Sequence, residues 1–429
     1  MLKKYPKALY LTWVAILGLL PAPLALMLNM SLLESSNNLF IYDAGIYAYV
    51  WWLVIVYLST RPSWLDRLIG LPAMYFVHGM VGVFALFAAF IHWYFSFSMH
   101  EEIKVTGNWA LYLAAFLIVY SSLFMSGWFV DRFVPFAKIK NRLNKFLKHE
   151  LSVWVHRLHF VAIFLIWLHV HVIPRIAILT PFMILFDLYT VYFLATYIWY
   201  KYIASHEDTT FTTIVANEKL SKTVQQLTLR LPKGHSYKAG DFYFLSFRDK
   251  NISKEKHPFS VASAPSKNPN EVVFTIQAVG DFTKNIPKVK VGSKVILEGP
   301  FGRFDAIAKE NPKLPLILYG TGSGIAPLMS MAQEYKSERE VHIIWSAKNE
   351  DEMYFDDEFR ELAVNENITY HGQAHRFTSD ALKNILDKKE IITGLFFIVG
   401  AATTVLKVEK NLRKIGVKNT RIHDERLTM

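Results

Sequence analysis

Six stretches of this chain, near residues 8–30, 45–60, 71–98, 109–130, 151–174 and 180–203, are apolar over nearly the length a bilayer demands. A helix needs ~20 such residues to cross the hydrocarbon core. There every backbone N–H and C=O must be bonded within the protein, so runs of this kind fold as helices. The second run is the shortest. Hydrophobic residues make up 52% of the 429 positions, a high share for a soluble enzyme, and most Lys, Glu and Asp lie beyond Phe211. The first 205 residues are therefore expected to form an all-α six-helix bundle set in a lipid bilayer. The opening MLKKYPK leads into the first run with no convincing cleavage site, so this run reads as a retained span.

The connecting segments set an orientation. One side carries Lys3, Lys4, Lys7, Arg61, Arg67, Arg132, Lys138, Lys140, Arg142, Lys145, Lys148 and Lys201, whereas the alternate loops carry only Lys104 and Arg175. Twelve against two is a positive-inside bias, and it places both termini and everything after residue 205 in the cytoplasm of a multi-pass plasma (inner) membrane protein. The formal charge of +11 is then explained by basic residues beside apolar spans facing an anionic membrane surface, and no nucleic-acid partner is expected. Cysteine is absent, which excludes disulfides, thiolate-held iron–sulfur clusters, thioether-attached haem and a cysteine nucleophile. Redox chemistry is left to a flavin, a nicotinamide or a metal on histidine.

After TTFTTIV the texture changes. Runs such as VQQLTLRLP, FYFLSF, VVFTIQAV and KVILEGP alternate with turn residues and predict a small antiparallel β-barrel over residues 206–311. From Leu314 the order is strand, helix, strand, through LPLILYGTGSG, MSMAQEY, VHIIWSA, LFFIVGA and TRIHDER. That order predicts an α/β doubly wound domain over residues 312–429.

Histidines stand where hydrocarbon makes them costly. The third apolar run holds His78 and His92, fourteen residues apart, about 21 Å of helix axis and about 40° of rotation. In the fifth, HRLHFVAIFLIWLHVH, His156 and His169 are thirteen apart and about 140° out of line on an ideal helix, whereas His156 and His171 differ by about 60°. Geometry alone leaves the second ligand of this run open. Any one of these residues is more simply a hydrogen-bonded buried histidine. Two runs with matched wide spacings favour stacked pairs, one near each membrane face, and paired neutral imidazoles suit haem iron and leave it no open position.

HPFSVASAP, residues 257–265, resembles the flavin-binding strand of the ferredoxin–NADP reductase superfamily, and VGDFTK, residues 279–284, its second flavin segment. The resemblance implies FAD on His257, Pro258, Phe259, Ser260, Ser263, Gly280 and Thr283, with Ser260 at the isoalloxazine edge. GTGSGIAP follows an apolar strand and opens a helix, a context in which backbone N–H groups cradle a pyrophosphate. It implies a nicotinamide dinucleotide on Gly320, Thr321, Gly322, Ser323, Gly324 and, further on, Gly400. Lys348 or Arg376 is placed to meet an adenosine 2′-phosphate, which favours NADPH and leaves NADH as the alternative. With six apolar runs, these motifs together resemble the NADPH oxidase and ferric reductase superfamily over nearly the whole chain. Its transmembrane pattern selects His169 over His171, and implies two b-type haems, the inner on His78 and His156, the outer on His92 and His169.

The resemblance further implies that electrons from cytosolic NADPH reach molecular oxygen outside, giving superoxide, with a ferric or cupric chelate as the rival acceptor. A membrane anchor with structural histidines carrying a flavin reductase is a second rival, and a feeder of electrons to another membrane protein is a third. Two positions depart from the family. Val399-Gly400-Ala401-Ala402 stands where Cys-Gly-Pro is usual, and Leu427 where an aromatic covers the flavin. No calcium loop or added regulatory segment is recognisable, so no obligatory protein activator is expected.

Overall fold

The computed structural model describes residues 6–32, 38–125, 149–203 and 209–427. Lys3, Lys4, Glu34 and the basic residues from Arg132 to Lys148 lie outside the described residues. The chain divides into two compact units, the first spanning Pro6–Ile203.

Among its described residues that first unit has six helices long and apolar enough to cross a membrane: Lys7–Leu32, Leu39–Leu58, Leu71–Phe95, Glu101–Phe124, Leu151–His171 and Thr180–Ile203. Each is apolar on nearly every face, as a helix bathed in lipid must be. Phe87, Trp109, Phe164 and Leu188 accordingly point outward. The first span widens to a π-turn at Ala15–Leu19, closed by Leu20 N–H on the Ala15 carbonyl. Pro21, which has no N–H to continue the ladder, follows immediately. The second span is the most buried. Its Tyr49 ring stacks on Phe186 of the sixth span at 4.7 Å, and its hydroxyl meets Thr190 Oγ1 at 2.8 Å. The fifth span is two helices, His149–Arg157 and His159–His171, broken at Leu158.

The second unit begins with strands β1 (Thr209–Lys219), β2 (Val224–Arg230), β3 (Phe242–Phe247), β4 (His257–Ser260), β5 (Glu271–Gln277) and β6 (Lys294–Phe301). They pair antiparallel in the order β4-β3-β6-β1-β2-β5. A single bridge between Val261 and Phe274 joins the two edges, giving a nearly closed barrel. Strict alternation is lost in β3, where Phe242, Tyr243, Leu245, Ser246 and Phe247 are all buried. The barrel core is Leu227, Leu229, Tyr243, Leu245, Phe247, Phe274 and Leu297, each fully enclosed.

Five parallel strands follow: β7 (Leu316–Thr321), β8 (Val341–Ala347), β9 (Ile368–Ala374), β10 (Leu395–Ala401) and β11 (Ile422–Leu427). Their order is β11-β10-β7-β8-β9. The chain runs outward from β7 through β8 to β9, then returns to β7's other side with β10. The carboxyl ends of β7 and β10 therefore flank the topological switch point, where open α/β sheets leave a ligand crevice. Both faces are covered, and β7, β8 and β10 are accordingly near-continuous apolar runs.

Candidate functional site

In the membrane unit the histidines meet in two tiers. The rings of His78 and His156 have centroids 6.1 Å apart, and those of His92 and His169 are 6.3 Å apart. Each ring is held from behind by a neighbouring span. His78 Nδ1 lies 2.9 Å from the Ile55 carbonyl and His92 Nδ1 2.8 Å from that of Ile41, both on the second span. The fourth span holds the other two: Ser121 Oγ is 2.8 Å from His156 Nδ1, while the Ile103 carbonyl and Thr106 Oγ1 are each 3.1 Å from His169 Nδ1. A carbonyl only accepts, so Nδ1 of His78, His92 and His169 carries the proton and Nε2 keeps its lone pair. Paired imidazoles with Nδ1 engaged and Nε2 left as a lone-pair donor are the donor set of a two-histidine metal site. A metal about 2 Å from each nitrogen would set the centroids roughly 6 Å apart. Among the described residues no group of three or more His, Cys, Asp or Glu gathers for a metal ion, so such a metal would bring its other ligands with it.

Room is reserved around the second tier. A Cβ on Gly45 would sit 3.0 Å from His92 Nδ1, and one on Gly107 3.0 Å from His169 Cε1.

The remaining two histidines of the fifth span have other partners. His171 turns to the sixth span, with Nε2 3.4 Å from Asp187 Oδ1 and Nδ1 2.9 Å from the Trp167 carbonyl. Trp167 Nε1 donates to the same Asp187 oxygen at 2.8 Å. His159 packs against Trp52 and His156. The break at Leu158, where an i−3 bond to the Val155 carbonyl replaces helical continuity, lies between His156 and His169, and both turn to the fourth span.

On the barrel, His257, Pro258, Phe259 and Ser260 are the whole of β4, an edge strand, where Pro258 has no ladder bond to lose. The fold brings VGDFTK beside it through Phe282, a residue of that motif without an assigned role. Its ring lies 3.9 Å from His257 and is stacked 6.3 Å from Phe259. The segment after it is a six-residue 3₁₀ turn, Thr283–Lys288, with less dipole to offer a pyrophosphate than an α-helix start. Thr283 Oγ1 already accepts the Val279 and Gly280 N–H groups at 2.9 and 3.0 Å. These bonds shape the loop at Gly280. Ser263 is similarly engaged: its Oγ accepts Val273 N–H at 3.0 Å and meets Tyr237 OH at 2.8 Å. Burial pushes the Tyr237 phenol up to about 12, so it stays protonated.

Gly320 and Thr321 end β7, and Gly322, Ser323 and Gly324 turn the chain into the helix Ala326–Tyr335. A Cβ on Gly324 would overlap the Val399 carbonyl of β10, so only glycine lets the loop cross the switch point. Gly400 is pressed against Thr321 from the same strand end. Two residues tie the loop down. Trp345 of β8 is fully buried and donates Nε1–H to the Gly322 carbonyl at 3.1 Å. Ser330 of the following helix donates to the Ser263 carbonyl of the barrel at 2.6 Å. Trp345→Phe should cost about 1 kcal/mol of stability and weaken nicotinamide binding several-fold with flavin content unchanged. A thermal melt beside a nucleotide titration checks this. Lys348 and Arg376 are exposed just beyond the adjacent ends of β8 and β9. Leu427 ends β11 opposite Ala401, partly buried against the α/β core.

Residues 211–305 match the FAD-binding domain family and residues 318–389 the oxidoreductase NAD-binding domain family. The part of the chain after residue 208 thus holds a FAD-binding and an oxidoreductase NAD-binding domain, and six helices long and apolar enough to cross a membrane precede it among the described residues. The reductase component of propane 2-monooxygenase from Rhodococcus jostii (strain RHA1) is 30% identical over 159 residues, 35% of this chain and 41% of that protein. One component of the Na(+)-translocating NADH-quinone reductase of Actinobacillus pleuropneumoniae serotype 5b (strain L20) is 23% identical over 205 residues, 37% of this chain and 49% of its own. The chain thus spans less than half the length of these two relatives. The crystal structure of Amycolatopsis cytochrome P450 reductase GcoB covers 52% of this chain and 71% of its own at 19% identity, with a TM-score of 0.46.

Proposed function

We propose that this protein is a transmembrane NADPH oxidase of the flavocytochrome b type, moving electrons from cytosolic NADPH through FAD and two b-type haems to molecular oxygen outside, which leaves as superoxide. The observation that carries the reading is the pair of histidine tiers, ring centroids 6.1 and 6.3 Å apart, with the Nδ1 atoms held from behind by neighbouring spans. When bound, FAD accepts hydride and releases electrons singly, and the haems carry single electrons.

The chain's own residues do the rest. His78 with His156, and His92 with His169, would each hold a haem with two imidazole nitrogens, and iron so held would have no open position for oxygen and would pass electrons to the acceptor by outer-sphere transfer. His257, Phe259 and Phe282 would supply an aromatic wall for the flavin, and Ser260 at the end of β4 would offer its hydroxyl to the isoalloxazine edge. The loop at Gly320–Gly324 offers backbone N–H groups to the dinucleotide pyrophosphate at the switch point. Lys348 and Arg376, on neighbouring strand ends, favour the 2′-phosphate of NADPH over NADH. The positive-inside bias supports a cytoplasmic dehydrogenase unit, and no second protein is required for turnover.

The test is NADPH added anaerobically to FAD-loaded full-length protein, followed by a pulse of oxygen, with the visible spectrum recorded throughout. Reduced low-spin b-type bands that vanish in oxygen with release of superoxide are expected. Bands that persist in oxygen and collapse with a ferric chelate make the protein a metal-chelate reductase. Absence of haem bands leaves a membrane-anchored flavin reductase.

A further inference from the structure

Two buried polar atoms near the His78–His156 pair have no hydrogen-bond partner among the described residues: Trp52 Nε1 and His159 Nδ1. Trp52 is 1% exposed. Its ring lies 6.2 Å from that of His159, which lies 5.0 Å from that of His156. The two share one level in the bundle. Trp52 is three residues along the second span from Ile55, whose carbonyl holds His78. His159 is three residues along the fifth span from His156. Both steps run toward the other tier, about 4.5 Å along the axis.

An indole N–H can only donate, and a buried donor without an acceptor is costly enough that native interiors rarely contain one. Among the described residues no acceptor reaches Trp52 Nε1. Resting on the proposed function, a b-type haem between His78 and His156 does supply one. Its rim carries hydrocarbon substituents and two carboxylates, and of these only the carboxylates accept hydrogen bonds.

We propose that Trp52 and His159 form a carboxylate-binding site, seating one propionate of the haem held by His78 and His156 on the side facing the middle of the bundle. Donors on that carboxylate partly neutralise a negative charge close to the iron. Removing a donor leaves more of that charge uncompensated, which favours the oxidised metal and lowers the midpoint potential.

Anaerobic optical redox titration of purified full-length protein tests this. Trp52→Phe keeps an aromatic ring and removes the donor. One of two midpoints should fall by about a tenfold change in the oxidised-to-reduced equilibrium, about 59 mV for one electron. The other midpoint should stay in place with two haems per chain retained. His159→Leu should move the same midpoint, and His159→Gln, which keeps a donor, should restore most of it. Two retained haems with both midpoints unmoved in Trp52→Phe and His159→Leu would overturn the proposal. If Trp52→Phe does not assemble, the His159→Leu and His159→Gln comparison decides the same question. Wild-type protein without haem bands would instead remove the proposed function, and this inference with it.

Discussion

Replacing His92 by leucine is expected to lower haem content from two per chain to one while NADPH still bleaches the flavin at the wild-type rate. His92 is one half of its tier, and its Nδ1 is already committed to the Ile41 carbonyl, so the ring has no other role to fall back on. Leucine keeps much of the volume, and the ring's position against Gly45 is relieved rather than crowded. Loss of an outer partner of a metal ligand alone typically costs about 10–100-fold in affinity, so loss of the ligand itself should empty the tier. Superoxide output should then fall at least as far. Haem per protein by pyridine haemochrome, set beside stopped-flow flavin bleaching, checks both halves. Two haems per chain in the variant would mean that His92 is not a ligand.

Gly324→Ala should separate the two chemistries in the opposite way. The added methyl would overlap the Val399 carbonyl, and that carbonyl belongs to a central strand bonded to β7 on one side and β11 on the other. Neither side can yield without moving the strand ends that form the crevice. Overpacking of this kind typically costs about 1–3 kcal/mol. A displacement near 1 Å of a reacting partner can cost about 10²-fold in rate. NADPH-driven flavin reduction should therefore fall by about that factor, while FAD content and the dithionite-reduced haem spectrum stay as in the wild type. Rapid-mixing kinetics with both reductants decides it, and equal slowing with dithionite would point to general unfolding.

The elements that could be read in advance are those governed by local periodicity. Apolar length marks the membrane helices, and turn residues between short β-rich runs mark the barrel. The strand–loop–helix spelling of GTGSGIAP marks the switch point because glycine's missing Cβ is a local requirement. What could not be read depends on residues far apart in the chain. The thirteen-residue spacing of His156 and His169 misfits an ideal helix. The break lies at Leu158, an ordinary helix former, so tertiary packing produces it rather than any proline or glycine. His171 is engaged by Asp187, sixteen residues away on another span. Thr283 accepts N–H groups of its own loop and Ser263 one from β5, since a hydroxyl's partner is invisible to spacing. Phe282 and Trp345 sat inside quoted motifs, and only the fold shows what each ring touches.

The separation of the two histidine tiers has an electrical consequence. Fourteen residues between His78 and His92 amount to about 21 Å of helix rise, most of a hydrocarbon core about 30 Å thick. On the proposed function, an electron passing from one tier to the other would cross most of the membrane field, a step worth about 2.3 kcal/mol per 100 mV for the full thickness. In the proposed orientation, with the cytoplasm negative, that field would drive the electron outward, and each turnover would discharge it. In a sealed vesicle the protein would act as a current source, and its steady rate would be set by how quickly a proton or another cation can follow.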